Sequence, residues 1–86
     1  MGKWGKLLAT ARGSTANIRF ADLCSLLERL GFEQRRQTGS HRIYRHATRK
    51  EIPFVNLQED RGGKAKNYQV RQVLACVDMY QLEVTE

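Results

Sequence analysis

Apolar residues in the first third of the chain recur at the spacing of an α-helix. In the opening segment they fall at i, i+3, i+4 and i+7, which predicts a short amphipathic helix. These residues are Trp4, Leu7, Leu8 and Ala11. After a loop at 12–17, a second stripe predicts a second helix and consists of Phe20, Leu23, Cys24, Leu27 and Leu30. Gly31 follows this stripe, and glycine is typical of the position at which a helix ends.

The middle of the chain predicts three strands of an antiparallel sheet. Residues 32–38 and 42–46 flank Gly39-Ser40, so we expect two strands joined by a tight turn. Alternation is weak in the first strand, where residues 33–37 are all polar, as an antiparallel sheet with one solvated face allows. Residues 52–57 predict a third strand. Pro53 places that strand at an edge, because proline cannot donate a hydrogen bond to a neighbouring strand.

A loop and a last helix complete the predicted fold. Residues 58–66 contain Gly62 and Gly63 and predict the loop. Residues 67–81 predict the helix, with an apolar stripe of Val70, Val73, Leu74, Val77 and Tyr80. The order (α)-α-β-β-β-α predicts an α+β domain whose helices pack on one face of a three-stranded antiparallel sheet. We expect the other face to stay open and to carry much of the arginine.

The chain is short and basic. Its 86 residues have a net charge of +6, so we expect one folded domain. Between Glu33 and Glu51 there is no acidic residue, and the six basic ones are Arg35, Arg36, Arg42, Arg45, Arg49 and Lys50. A run of this kind favours a phosphate backbone as the partner over a solvated face without a ligand.

Several classes of protein are disfavoured by composition. Cys24 and Cys76 lie in apolar helical patterns and outside any C-x-x-C pair, which indicates buried thiols in a reducing compartment and no zinc site. No apolar run reaches a membrane-spanning length and no secretory signal is visible. We therefore expect a cytoplasmic protein that has no membrane partner.

His41 is the candidate for proton transfer, since histidine is the side chain that takes and gives a proton near neutral pH. Gly39 and Ser40 place it at the start of a strand just after a turn, where it can face a cleft. Ser40 can donate a hydrogen bond to a phosphate held there. His46 follows five residues later, so a regular strand puts it on the opposite face, and we expect it to cap the strand end.

Cleavage of RNA is a reaction that such a site supports. The 2′-OH attacks the adjacent phosphorus, so the enzyme needs a proton-transfer group and cations around the phosphorane, with no metal or cofactor required. We expect the RNA contacts to come from Gly39, Ser40, Arg35, Arg36, Arg42, Tyr44, Arg45, Lys64 and Lys66. Among these, Tyr44 is expected to stack on an unpaired base. The group that activates the 2′-OH is left open among Tyr44, Tyr68 and a water.

Several of these stretches together resemble the HicA family of bacterial toxins. They are residues 26–32 and 36–46, which contain Gly39-Ser40-His41, and residues 64–66 leading into 68–74. The resemblance spans about residues 20–81. It implies a fold like that of double-stranded-RNA-binding domains and metal-independent cleavage of mRNA, with His41 as the catalytic residue. It also implies a HicB-type antitoxin that covers the active site.

The chain departs from that family in two places. Residues 1–19 precede the resemblance, so we divide the chain into an N-terminal extension at 1–19 and a HicA-like ribonuclease domain at 20–86. Ala47-Thr48 stands where the family has a turn of the Pro-Gly type. Two other functions fit the same charge: a non-catalytic RNA-binding module that uses the open sheet, and an adaptor whose basic face meets an acidic protein.

Overall fold

Three helices and one three-stranded antiparallel sheet make up the fold, and the first helix contacts the other two. The structure is a computed structural model, and it describes residues 2–85. The elements are α1 (Lys3–Gly13), α2 (Phe20–Arg29), β1 (Phe32–Thr38), β2 (His41–His46), β3 (Val55–Gln58) and α3 (Asn67–Tyr80), with a 3₁₀ turn at Arg61–Gly63. The strand order is β1-β2-β3, so β3 lies at an edge, as Pro53 predicts. The predicted α+β architecture is confirmed.

The second helix ends where the sequence predicts, because Gly31 adopts a backbone conformation that other residues rarely accept. Its φ is +102°, in the region that favours glycine. A Cβ on Gly31 would also lie 2.5 Å from Nε2 of His46. Gly31 therefore serves both the reversal after α2 and the close approach of the last residue of β2.

The β1–β2 pairing contains a bulge that explains the weak alternation of β1. Gln34 is opposite Tyr44 and Arg36 is opposite Ile43, so Arg35 is the extra residue between them. Because of that extra residue, Gln34 and Arg36 point to opposite faces although they are two positions apart. Phe32 and Gln34 share the helix side of the sheet, and Arg36 lies on the open side.

The third strand is shorter than residues 52–57, and it begins at Val55 and ends at Gln58. Ile52 is fully buried without belonging to the strand, and its N–H bonds to the carbonyl of Arg49 at 3.2 Å. An apolar residue can therefore belong to the core from a turn as well as from a strand. The predicted loop after β3 contains the 3₁₀ turn and an isolated bridge between Glu59 and Ala65.

The core lies between the helices and one face of the sheet. Side chains that are at most 1% exposed come from α2, β2, β3 and α3, and they include Leu23, Leu26, Leu27, Tyr44, Leu57, Val70 and Val73. Cys24 is buried among them, as predicted, whereas Cys76 is only half-buried. Burial raises the pKa of both free thiols.

The N-terminal helix packs on this same core. Ala11 is 2% exposed, and Trp4, Leu7 and Leu8 contact the buried cluster. Nη2 of Arg12 lies 2.7 Å from Oδ1 of Asp78 on α3, and this hydrogen bond lowers the pKa of the Asp78 carboxyl. The helix predicted within residues 1–19 is thus attached to the rest of the domain by apolar contacts and by an ion pair.

Candidate active site

The two faces of β2 differ in exposure: one faces the open side of the sheet and the other faces the helices. The strand alternates regularly, so His41, Ile43 and Arg45 face the open side of the sheet. The buried side chain of Tyr44 faces the helices. His41 is exposed at the first position of the strand. The open face at this end of the sheet is where a substrate can reach a histidine.

A two-residue turn holds His41 at the tip of the β1–β2 hairpin. Thr38 pairs with His41, which leaves Gly39 and Ser40 as the turn. Gly39 has a φ of +58°, and a Cβ there would meet nothing within 4 Å. Gly39 is therefore required by backbone conformation and not by crowding, as in the hairpin turns that place glycine first.

The imidazole of His41 has one partner among the described side chains. Its Nδ1 lies 3.4 Å from Oδ1 of Asn56, which belongs to the neighbouring strand β3. An amide oxygen accepts a hydrogen bond, so this contact suits the tautomer with the proton on Nδ1. In that tautomer Nε2 carries the lone pair that can take a proton.

Ser40 belongs to a short chain of polar side chains beside His41. Nζ of Lys66 donates to Oε1 of Gln58 at 3.2 Å, and Nε2 of Gln58 donates to Oγ of Ser40 at 3.2 Å. The lysine fixes which end of the amide faces Ser40, because ammonium groups only donate. Oγ of Ser40 accepts, so its own proton is available to a substrate oxygen. We call Ser40, His41, Asn56, Gln58 and Lys66 the hairpin-tip cluster.

The arginines of the basic run divide among different tasks. The bulge brings Arg36 opposite Ile43 on the open face, and Arg45 lies on that face too. Arg35 pairs with Glu33 at 3.3 Å in an exposed contact. Arg49 donates to the carbonyl of Tyr80 at 2.7 Å, which fixes the end of α3. Only part of the predicted charge therefore lies on the face of the sheet that carries His41.

Two residues expected to contact RNA lie on the other side of the sheet. The guanidinium of Arg42 is 5.2 Å from the ring centre of Phe20, and its Nη1 is 3.9 Å from Sγ of Cys24. The side chain of Tyr44 is 1% exposed, and burial raises the pKa of its phenol. Arg42 thus does not share the face of His41, and the prediction that Tyr44 stacks on a base is wrong because its ring is enclosed.

The two lysines of residues 64–66 also differ in placement. Lys66 directly precedes α3 and joins the hairpin-tip cluster through Gln58. Nζ of Lys64 instead donates to Oδ1 of Asn17 at 2.7 Å, in the connection between α1 and α2. The structure therefore links Lys66 to Ser40, the neighbour of His41, through Gln58, while Lys64 lies outside this hydrogen-bond chain.

The family of the chain follows from a comparison with known protein families. A model described as the HicA toxin of bacterial toxin–antitoxin systems matches residues 20–78, more than half of the sequence. The chain belongs to the HicA toxin family. It is therefore a toxin of a bacterial toxin–antitoxin system, from a family of toxin ribonucleases, and an antitoxin is its partner. No curated protein and no solved structure matches the chain.

The match covers the parts of this HicA-family toxin that build the hairpin-tip cluster. It begins at Phe20, the first residue of α2, and extends into α3. Helix α1 precedes it. Within residues 2–85 no helix is long and apolar enough to cross a membrane. The same residues contain no group of three or more His, Cys, Asp or Glu side chains that could hold a metal ion.

His46 has the structural role that its position in the strand predicts. Its Nδ1 accepts from the N–H groups of Thr48 and Arg49 at 3.2 and 3.0 Å. Its ring meets that of Phe32 edge to face, with centroids 5.4 Å apart. The imidazole thus caps the turn that contains Ala47-Thr48, so this HicA-family chain forms the turn without a proline or a glycine.

Three residues of the site were not singled out by the sequence analysis: Asn56, Gln58 and Gln69. The first two alternate with buried Val55 and Leu57 in β3, so strand periodicity alone puts them on one face. The signal was present in the sequence, since a polar residue at every second position of an edge strand faces the open side. Gln69 is a buried polar residue in the apolar stripe of α3.

Proposed function

We propose that this HicA-family toxin is a metal-independent endoribonuclease that cleaves mRNA with His41 as a general acid or base. One observation carries the proposal. An exposed histidine, held through Nδ1 by Asn56, lies beside a serine hydroxyl whose acceptor side is already occupied by Gln58. This arrangement combines a proton-transfer group with a hydrogen-bond donor for a phosphate oxygen.

The reaction needs two proton transfers. The 2′-oxygen forms a bond to phosphorus and loses its proton, the bond from phosphorus to the 5′-oxygen breaks, and the 5′-oxygen gains a proton. The products are a 2′,3′-cyclic phosphate and a 5′-hydroxyl. His41 carries one of these protons through Nε2. The other belongs to Tyr68, which is 56% exposed, or to a water, since the burial of Tyr44 removes it from the candidates.

The charge that develops on the phosphorane is met by groups from three elements. Ser40 donates from the turn, Lys66 adds a positive charge ahead of α3, and Arg36 approaches from β1. Hydrogen bonds from charged groups contribute about 1.5–3 kcal/mol each. Such contacts also bind the ground state of the RNA, so we expect affinity to fall as salt rises. We propose further contacts with the RNA phosphates for Arg45, which lies further along β2, and for Gly39, which lies in the turn.

The antitoxin is proposed to be of the HicB type and to cover the hairpin-tip cluster. The support is the concentration of open positive charge on one face, where Arg36, Arg45 and Lys66 lie. A partner with acidic residues on its contact surface can neutralise these groups and exclude RNA at the same time.

The decisive experiment compares purified wild type with His41→Ala on RNA in the presence of EDTA. We expect the wild type to cleave and the variant to lose at least 10²-fold in rate, the contribution typical of one acid–base group. The variant should still bind RNA, because Arg36 and Lys66 remain. Binding by both proteins without cleavage by either would indicate the non-catalytic RNA-binding module instead. Cleavage by the wild type only without EDTA would contradict the metal-independent mechanism.

A further inference from the structure

Gln69 is the one polar residue that is buried among residues 2–85, with 4% of its surface exposed. Both ends of its side-chain amide are engaged. Oε1 accepts from the N–H of Gln58 at 3.0 Å, and Nε2 lies 3.4 Å from the carbonyl oxygen of Asn56 and 3.3 Å from Oη of Tyr68. Burying an amide is unfavourable unless such bonds are made, so the position is demanding.

The amide of Gln69 makes the backbone hydrogen bonds that a fourth strand would make at this edge of the sheet. Residues 56 and 58 of β3 direct their backbone groups away from β2, because alternate residues of a strand bond to alternate sides. The edge of the sheet would leave those groups to water. Gln69 instead accepts from one and donates to the other, as one residue of an added strand does. It therefore fixes the backbone of the last residues of β3 from outside the sheet.

The same two residues hold the hairpin-tip cluster with their side chains. Asn56 contacts Nδ1 of His41, and Gln58 donates to Ser40. A movement of this short stretch of backbone displaces both contacts together. We infer that Gln69 is a positioning residue for His41 and Ser40, acting through the backbone of β3. The catalytic part of this inference rests on the proposed function. The effect of Gln69 on the orientation of the His41 ring can be measured independently of catalysis.

A purely structural role for Gln69 makes a different prediction. If the amide only stabilises the fold, its loss lowers stability and leaves the His41 ring unchanged in every folded molecule. If it positions the site, its loss changes the environment of His41 while the domain remains folded. The two roles are separated by measuring His41 directly and by matching the loss of stability in a control variant.

The test uses Gln69→Met, which keeps an unbranched side chain of similar length and removes both hydrogen-bonding ends. The control is Val73→Ala, which opens space in the core one turn later on α3, where Val73 is 1% exposed. We expect Gln69→Met to lower kcat by about 10- to 100-fold with KM changed by less than about threefold, the result of a displaced acid–base group. Val73→Ala should keep kcat within about threefold although it is at least as destabilised.

The second readout is the ¹⁵N spectrum of the His41 ring, which reports its tautomer. We expect mainly the Nδ1–H form in the wild type and in Val73→Ala, and a changed tautomer ratio in Gln69→Met. Gln69→Glu, which retains an acceptor for the N–H of Gln58 but no donor for Asn56, should show the same change and serves if Gln69→Met does not fold. An unchanged His41 spectrum in a folded Gln69 variant, or equal loss of kcat in the control, overturns the inference. If the wild type cleaves no RNA, the proposed function is wrong, and the His41 spectrum alone decides whether Gln69 positions the ring.

Discussion

The two histidines of β2 differ in their exposure and in the contacts of their ring atoms. His41 is exposed at the first position of the strand, and its hydrogen-bond partner among residues 2–85 is a single amide 3.4 Å away. His46, at the last position, has one ring nitrogen bonded to two backbone N–H groups, and its ring packs on Phe32. In His41 the Nε2 nitrogen is available to a substrate, whereas the ring of His46 is engaged in structural contacts. Candidate chemistry thus depends on which ring atoms are already engaged.

The largest expected effect separates these residues by substitution. His41→Ala should lose at least 10²-fold in cleavage rate with an unchanged unfolding midpoint. His46→Ala should lose about 1–3 kcal/mol of stability, because two N–H groups lose their acceptor and Phe32 loses its ring contact. Its cleavage rate per folded molecule should stay within about threefold of wild type. Urea unfolding and a single-site RNA assay measure both, and a fully folded His46→Ala protein without activity would contradict the contrast.

A smaller effect is expected at two glycines near the ends of β2: Gly31, which lies against its last residue, and Gly39, in the turn before its first residue. Gly31→Ala forces a Cβ against Nε2 of His46 and strains a φ of +102°, so we expect a loss of about 1–3 kcal/mol. Gly39→Ala is the matched control: its φ is +58° and no atom lies within 4 Å of the added Cβ. It should lose only about 1 kcal/mol, from backbone strain alone. Equal losses in thermal unfolding would show that the contact with His46 yields under the added methyl.

The smallest effect is expected at Tyr44, midway between the histidines. Tyr44→Phe should cleave RNA within about twofold of wild type, since the buried phenol cannot reach a 2′-OH. Burial raises the pKa of this phenol, so the folded state keeps its proton at pH values where the unfolded chain, with a pKa of about 10, has lost it. Wild type should therefore lose stability as pH rises above about 10, and Tyr44→Phe should lose less. Parallel alkaline unfolding curves for the two proteins would count against this assignment.

Strand periodicity accounts for much of what the sequence predicted correctly about β2. The odd separation of His41 and His46 put them on opposite faces, which the structure confirms. The same rule separates His41 from Arg42 and from Tyr44, so their placement on the helix side was already contained in the sequence. Arg42 was predicted to contact RNA because of its charge, although its position next to His41 in the strand puts its side chain on the opposite face.

Other features require the three-dimensional pairing. The bulge at Arg35 arises from the match between β1 and β2, and no local residue pattern in 33–37 specifies it. The contact of Gln58 with Ser40 joins residues from two strands and depends on the register of β3. Ile52 is a third feature that the sequence did not predict correctly. Its apolar side chain indicated a strand, but the residue lies in a turn before β3 and is buried there. Sequence periodicity predicts faces, and only the assembled sheet determines neighbours.

The bulge in β1 also has a consequence for changes in chain length. Residues on both sides of Arg35 already have partners on β2, with Gln34 opposite Tyr44 and Arg36 opposite Ile43. A chain that lacks Arg35 can keep each of those pairs in an uninterrupted ladder, with every remaining side chain on its present face. Loss of Gln37, two positions later, would instead shift the pairing of Thr38 next to the turn. Tolerance to deletion in this hairpin therefore changes abruptly within three residues, and a deletion at Arg35 preserves the open surface that a deletion at Gln37 disturbs.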